Sequence, residues 1–284
     1  MISRILEYCE FIKIGHTVFA LPFCMIAAVL AGRKTAFGWE QGALILIAFA
    51  AARSFAMAMN RILDKDFDAE NPRTAGRHIP VGIIKPSHAA KFAGASAILF
   101  VAAAFFLQPI CFYLAPLVLA YLAFYSYTKR FTKWSHLVLG GALALAPLGA
   151  ETAIRGNVSW PTAVLALSVM FWVSGFDIFY ACQDVDFDRK AGLFSLPAGI
   201  GEGRALAIAA GFHMAAFLLF LLYGRLESMG TIYFAAQGLI LLLLVYEHLQ
   251  IRRGRGQSAF FQINGILSIV QLAAVLLDQS VGGK

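Results

Sequence analysis

Nine times along this chain a mostly apolar run of roughly 16–21 residues recurs, about the length an α-helix needs to cross a bilayer. The runs are 14–31, 42–62, 89–107, 110–127, 137–153, 162–182, 205–223, 231–246 and 260–277. Inside hydrocarbon no water satisfies backbone N–H and C=O groups, so only helices and closed barrels span it. Each run has the length of a membrane-crossing helix. The fold expected is therefore all-α: a polytopic membrane bundle of about nine transmembrane helices. Only 14% of residues are charged, where soluble domains carry about a quarter. No polar linker interrupts the pattern, so 1–284 reads as a single transmembrane domain. The opening "MISRILEYCEFIK" lacks the short apolar core and small-residue cleavage site of a signal peptide. The split between the third and fourth runs rests on Pro109 in "LQPI".

The connections alternate in charge. Lys65, Arg73, Arg77 and Lys85 follow the second run; Lys129, Arg130 and Lys133 follow the fourth. Arg189, Lys190 and Arg204 follow the sixth, and Arg252, Arg253 and Arg255 the eighth. The opposite side holds Arg33, Lys34, Arg155 and Arg225. Basic residues favour the cytoplasmic face, which places the N-terminus inside and the C-terminus outside. The net charge of +7 is thus a signature of topology, and the partner it implies is a lipid bilayer, with no nucleic acid. Cys9, Cys24, Cys111 and Cys182 lie singly, with no metal-ligand spacing and no disulfide framework.

Against this apolar background the aspartates cluster. "NRILDKDFD" (60–68) and "QDVDFD" (183–188) hold six of the eight, each where a span ends on the expected cytoplasmic side. Each leads to a similar stretch, "IPVGII" or "LPAGI". Two related halves around a central cavity are the simplest reading. Asn60, Asp64 and Asp68 are four apart, as are Asp184 and Asp188, which keeps each set on one helix face. Asp66 and Asp186 point off that face. Four such carboxylates facing one another need neutralising. Mg²⁺ does this with a few carboxylate oxygens, completing its shell with water and substrate phosphate. The pattern predicts a diphosphate bridged by Mg²⁺ between the clusters. Ionisable residues at membrane depth mark functional sites by default.

Arg61 adjoins Asn60, and Arg73 and Arg77 lie in the next loop. Tyr125 and Lys129 stand four apart in "YSYTK". Any one of these alone reads as a positive-inside charge or an interfacial aromatic. Together, the three motifs resemble those of the UbiA-type membrane prenyltransferases. Asn60, Asp64 and Asp68 match that family's first motif, Asp184 and Asp188 its second, and Tyr125 and Lys129 the Y-x-x-x-K between them. Arg61 stands where many members have Asp, so it is not counted as a metal ligand; it is expected instead to touch diphosphate, as are Arg73, Tyr125 and Lys129. The resemblance implies Mg²⁺-dependent transfer of an isoprenyl group from its diphosphate to a lipophilic acceptor. It implies catalytic roles for Asp64, Asp68, Asp184, Asp188 and Lys129.

The acceptor is read from polar residues deeper in the spans. Arg53 lies seven before Asn60 and Asp177 seven before Asp184, both two turns further in on the same faces. Either they pair with each other, or Arg53 binds an acceptor carboxylate while Asp177 orients a phenol or takes a proton. His16, near the start of the first run, is a further acceptor-binding candidate. Asn264 is expected to hydrogen-bond between helices. The sequence around the first motif most resembles bacterial 4-hydroxybenzoate polyprenyltransferases, which implies a polyprenyl diphosphate donor, an aromatic acid acceptor and ubiquinone-type synthesis at a bacterial inner membrane. Prenylation of a dihydroxynaphthoate for menaquinone is the alternative. A lipid-diphosphate carrier would not need Arg53 and Asp177, and a divalent-cation transporter would put its acids nearer the midplane.

Overall fold

The structure, a computed structural model, describes residues 2–253 and 256–281, with side chains over 4–253 and 261–281. Arg255 and the side chain of Phe260 lie outside the described residues. Among those described, every regular element is helical. In chain order they are α1 (Ile2–Phe11), a 3-10 segment (Ile14–Phe19), α2 (Leu21–Lys34), α3 (Trp39–Leu63), α4 (Lys65–Glu70), α5 (Pro86–Phe105) and α6 (Pro109–Phe124). A 3-10 segment (Tyr125–Arg130) leads to α7 (Ser135–Arg155) and α8 (Trp160–Ala181). A 3-10 turn (Cys182–Asp184), α9 (Val185–Ala191), α10 (Leu196–Ile200), α11 (Glu202–Leu226), α12 (Thr231–Arg252) and α13 (Gly256–Val281) follow. Proline opens α2, α5, α6, α8 and α10, where its missing N–H costs nothing.

Eight helical stretches are long and apolar enough to cross a membrane. They correspond to the second through ninth expected runs. The first run, 14–31, is not one helix. Pro22 has no N–H to give Val18, so the ladder breaks there. The hydroxyl of Ser268 on α13 takes the Val18 carbonyl instead, at 2.7 Å. The break replaces a uniform span with a short 3-10 segment and the 14-residue α2.

The repeat seen in the sequence is visible in the backbone. A long helix ends, one aspartate leaves helical geometry, and a short helix resumes. Asp64 does this at φ −94°, ψ 6° and Asp184 at φ −112°, ψ 8°. The winding survives the kink: Asp64 N–H bonds the Asn60 carbonyl at 3.0 Å, and Asp68 N–H the Asp64 carbonyl at 2.7 Å. Asn60, Asp64 and Asp68 therefore keep their common face. The copies differ downstream, since "LPAGI" forms α10 while "IPVGII" makes non-helical turns.

The largest apolar core joins α8 to α2, α11, α12 and α13 around Trp172, Phe23, Phe220 and Ile240. The most apolar stretch of α8 is 72% buried and that of α6 only 17%, so α8 is the central post and α6 a peripheral helix. Asn264 links helices as expected: Trp172 Nε1 donates to its Oδ1 at 2.9 Å, and its amide donates to Glu247. Helices α7 and α8 pack tightly at Gly140. A Cβ there would lie 2.3 Å from the Met170 carbonyl oxygen and 2.5 Å from Ser174 Oγ. Ser174 Oγ reciprocates by donating to the His136 carbonyl at 3.1 Å. Replacing Gly140 with Val should wedge the two helices apart and cost about 1–3 kcal/mol. Thermal unfolding of the detergent-solubilised variant checks this; an unchanged midpoint would show the close contact to be dispensable.

Candidate active site

One cavity of about 1220 Å³ runs along α3, α5, α6, α7 and α8. At one end it is walled by both aspartate clusters, with Asn60, Arg61, Tyr125 and Lys129 between them. Further in, Leu107, Leu114, Val118, Leu143, Ala146 and Leu148 make it apolar, and it reaches Thr152 and Val158 at the other end of α7. The chain thus builds a polar head chamber on an oily shaft, because both motifs end spans that contribute apolar residues below.

Within the head chamber the acids are held individually. Arg130 donates to Asp64 at 3.0 Å, and Asn60 donates to the same carboxylate at 2.8 Å. Arg77 grips both oxygens of Asp68, at 2.6 and 2.8 Å. Asp184 accepts from Arg73 Nε at 2.8 Å and from Asn71 at 2.9 Å. The Arg73 guanidinium also lies over the Tyr180 ring and donates to its hydroxyl at 2.9 Å. Asp188 accepts from Ser195 Oγ at 2.8 Å. Burial lifts the Asp64 carboxyl above the usual carboxylate range, and the neighbouring Arg130 and Lys129 charges oppose that rise. Arg61 is buried and donates to Asn60 Oδ1 at 3.3 Å. Lys129 lines the chamber, and among the described residues no carboxylate pairs with its ammonium.

The five expected metal-site residues do converge on one chamber. Asp66 and Asp186 are exposed, as the spacing predicts. Among the described residues no three His, Cys, Asp or Glu side chains form a ready-made cation site. The donor set of carboxylates and an amide is hard oxygen, which suits Mg²⁺. An ion held there needs further oxygens, from water or from a ligand's phosphates.

Deeper in, Arg53 and Asp177 line the cavity but do not pair with each other. Arg53 donates to the backbone carbonyls of Ile12 at 3.0 Å and Lys13 at 2.6 Å. Asp177 Oδ2 lies 2.7 Å from His136 Nδ1. His16 lines the same cavity, its ring 5.0 Å from Phe261 and 5.4 Å from Phe19 between centroids. Sequence reasoning missed Asn71, Arg130, His136 and Ser195. His136 lay one residue outside the expected run 137–153, and only the structure puts it inside α7. Arg130 hid behind the motif lysine beside it, and it reaches Asp64 only because residues 125–130 wind as a 3-10 segment.

A model of the UbiA prenyltransferase family matches residues 20–266. A 4-hydroxybenzoate octaprenyltransferase from Aeromonas hydrophila is 28% identical over 231 residues, 80% of this chain and 79% of its own. A UbiA homolog from Aeropyrum pernix K1 superposes with a TM-score of 0.85 at 32% identity, over 93% of this chain and 98% of that one. A UbiA homolog from Archaeoglobus fulgidus, bound to DMAPP and Mg²⁺, has a TM-score of 0.73 at 20% identity, over 97% and 99%. At that identity the likeness is one of fold.

Arg73 and Asn71 tie the loop after α4 to Asp184 across the two repeats. Hydrogen bonds to a charged group contribute about 1.5–3 kcal/mol each. Arg73→Ala should therefore raise amide hydrogen exchange across residues 71–77 by at least about tenfold. Unchanged protection would mean that Asn71 and Thr74 hold the loop unaided.

Proposed function

The chain belongs to the UbiA prenyltransferase family, and we propose that it transfers a polyprenyl group from its diphosphate to an aromatic acid, 4-hydroxybenzoate, at the cytoplasmic face of a bacterial inner membrane. The observation that carries this reading is the cavity itself. Two carboxylate clusters and several cations share one end of it, and an apolar shaft continues from them. A prenyl diphosphate has that same division between head and tail. The acceptor assignment draws on the 4-hydroxybenzoate octaprenyltransferase relative and on Arg53.

Asn60, Asp64, Asp68, Asp184 and Asp188 would hold Mg²⁺. When bound, Mg²⁺ draws charge off the leaving diphosphate and so weakens the allylic C–O bond. Lys129 lines the chamber with no carboxylate of its own among the described residues, which supports a role in taking phosphate oxygen. Arg61 and Tyr125 line the same chamber. Arg73 holds a carboxylate through two nitrogens and Arg77 through one, and phosphate oxygens can accept from the same donors. Below them, Arg53 spends two of its donors on backbone carbonyls, and the planar guanidinium has five. The acceptor's carboxylate takes the remainder, and Asp177 faces its ring.

The reading predicts that purified protein with Mg²⁺, a labelled polyprenyl diphosphate and 4-hydroxybenzoate yields a lipid-soluble product. Asp64→Ala and Asp184→Ala should each lose activity by at least about 10²-fold. Full activity in Asp184→Ala would sink the two-cluster mechanism. Turnover of a dihydroxynaphthoate, with none of any benzoate, would move the assignment to menaquinone synthesis. For Arg53 the comparison is between an aromatic acid and its neutral amide. Arg53→Ala should raise KM for the acid alone, and an equal loss on both would end its carboxylate role.

A further inference from the structure

His136 is fully enclosed, and it does not line the cavity. Both of its ring nitrogens are nonetheless committed. Nε2 lies 3.3 Å from the backbone nitrogen of Leu196. A backbone N–H only donates, so Nε2 is the bare nitrogen and Nδ1 carries the proton. That proton is given to Asp177 Oδ2 at 2.7 Å. Asp177 is the partner that reaches the cavity, with its side chain 18% exposed against 0% for His136.

The far side of the imidazole is equally informative. Leu196 opens α10, where a helix leaves its first N–H groups without internal partners. His136 supplies the partner for one of them. The preceding residue, Ser195, donates to Asp188. Two consecutive residues therefore fix His136 and an aspartate of the second cluster. The close approach at Gly140 brings α7 to α8 one turn from His136, so the dyad follows from helix packing.

Asp177 also differs from Asp64, Asp68 and Asp184 in what holds it, and lies eleven residues before Asp188, which accepts from the Ser195 hydroxyl. Asp64, Asp68 and Asp184 each hold an arginine, which occupies carboxylate oxygens that a released proton would need. Asp177 is held by an imidazole N–H, which contacts Oδ2 and so orients the carboxylate. Prenylation of an aromatic ring must release a proton. The C1–O bond of the prenyl diphosphate breaks and its electron pair leaves with diphosphate. C1 bonds the ring carbon ortho to the hydroxyl. The ring C–H then breaks, its pair restores aromaticity, and the proton needs an acceptor inside an apolar cavity.

We propose that Asp177 takes that proton and that His136 is its positioning residue, holding the carboxylate in one orientation and in register with Asp188. The proposal rests on the aromatic prenyl-transfer reading above. Its test uses the full chain with Mg²⁺ and a prenyl diphosphate. The acceptor is 4-hydroxybenzoate, unlabelled or deuterated at both positions ortho to the hydroxyl. His136→Ala should lower kcat by about 10²-fold through misplacement of the base. It should leave KM for the diphosphate nearly unchanged and raise the ring-deuterium isotope effect above the wild-type value, as Asp177→Asn should. His136→Asn, whose amide can stand in for Nδ1–H, should recover most of the loss, and His136→Gln should not. Should His136→Ala fail to fold, the Asn and Gln variants decide. An isotope effect that no variant moves, or Asn no better than Gln, overturns the inference while leaving the function standing. A wild type that prenylates no aromatic acid overturns the function itself, and this inference with it.

Discussion

A carboxylate at the margin of a bilayer needs a partner, since its desolvation costs several kcal/mol unless a charge or hydrogen bond offsets it. That requirement organises the head of this molecule. Asp64, Asp68 and Asp184 recruit Arg130, Arg77 and Arg73, and each pairing draws a different segment inward. Arg130 brings in the 3-10 segment after α6, and Arg77 folds the loop after α4 back on its own cluster. Arg73 carries that loop across to the second cluster. The lid of the cavity is thus woven from residues that in another context would be positive-inside signposts.

Much of this was legible beforehand, for definable reasons. Steps of four report a shared face whether or not the helix is ideal, so the kinks at Asp64 and Asp184 left the inference intact. The same arithmetic correctly set Asp66 and Asp186 outside. Spans two through nine were legible because hydrocarbon permits little else. The first was misjudged because hydropathy does not register a missing N–H: Pro22 splits a run whose composition looks uniform.

The partner of Asp177 was not legible at all. Arg53 has the right depth and charge to pair with it, yet satisfies the carbonyls of Ile12 and Lys13. His136 wins because a glycine on α7 lets two backbones nearly touch. Depth can be counted along one helix. Contact between helices depends on side-chain volume at the crossing, and a single sequence does not identify the crossing. Asn71 and Ser195 were hidden likewise, being short polar residues whose roles exist only once a loop has folded back.

The broken first run has an effect on assembly. The Val18 carbonyl freed by Pro22 is taken by Ser268, 250 residues away, and the rings of His16 and Phe19 rest against Phe261 on the same helix. Since His16 and Phe19 also line the cavity, its wall beside the N-terminus is buttressed by the last helix in the chain. A ribosome that delivers the first aspartate cluster early still leaves that wall unsupported until α13 arrives. The pocket is closed like a ring, by a clasp between its two ends.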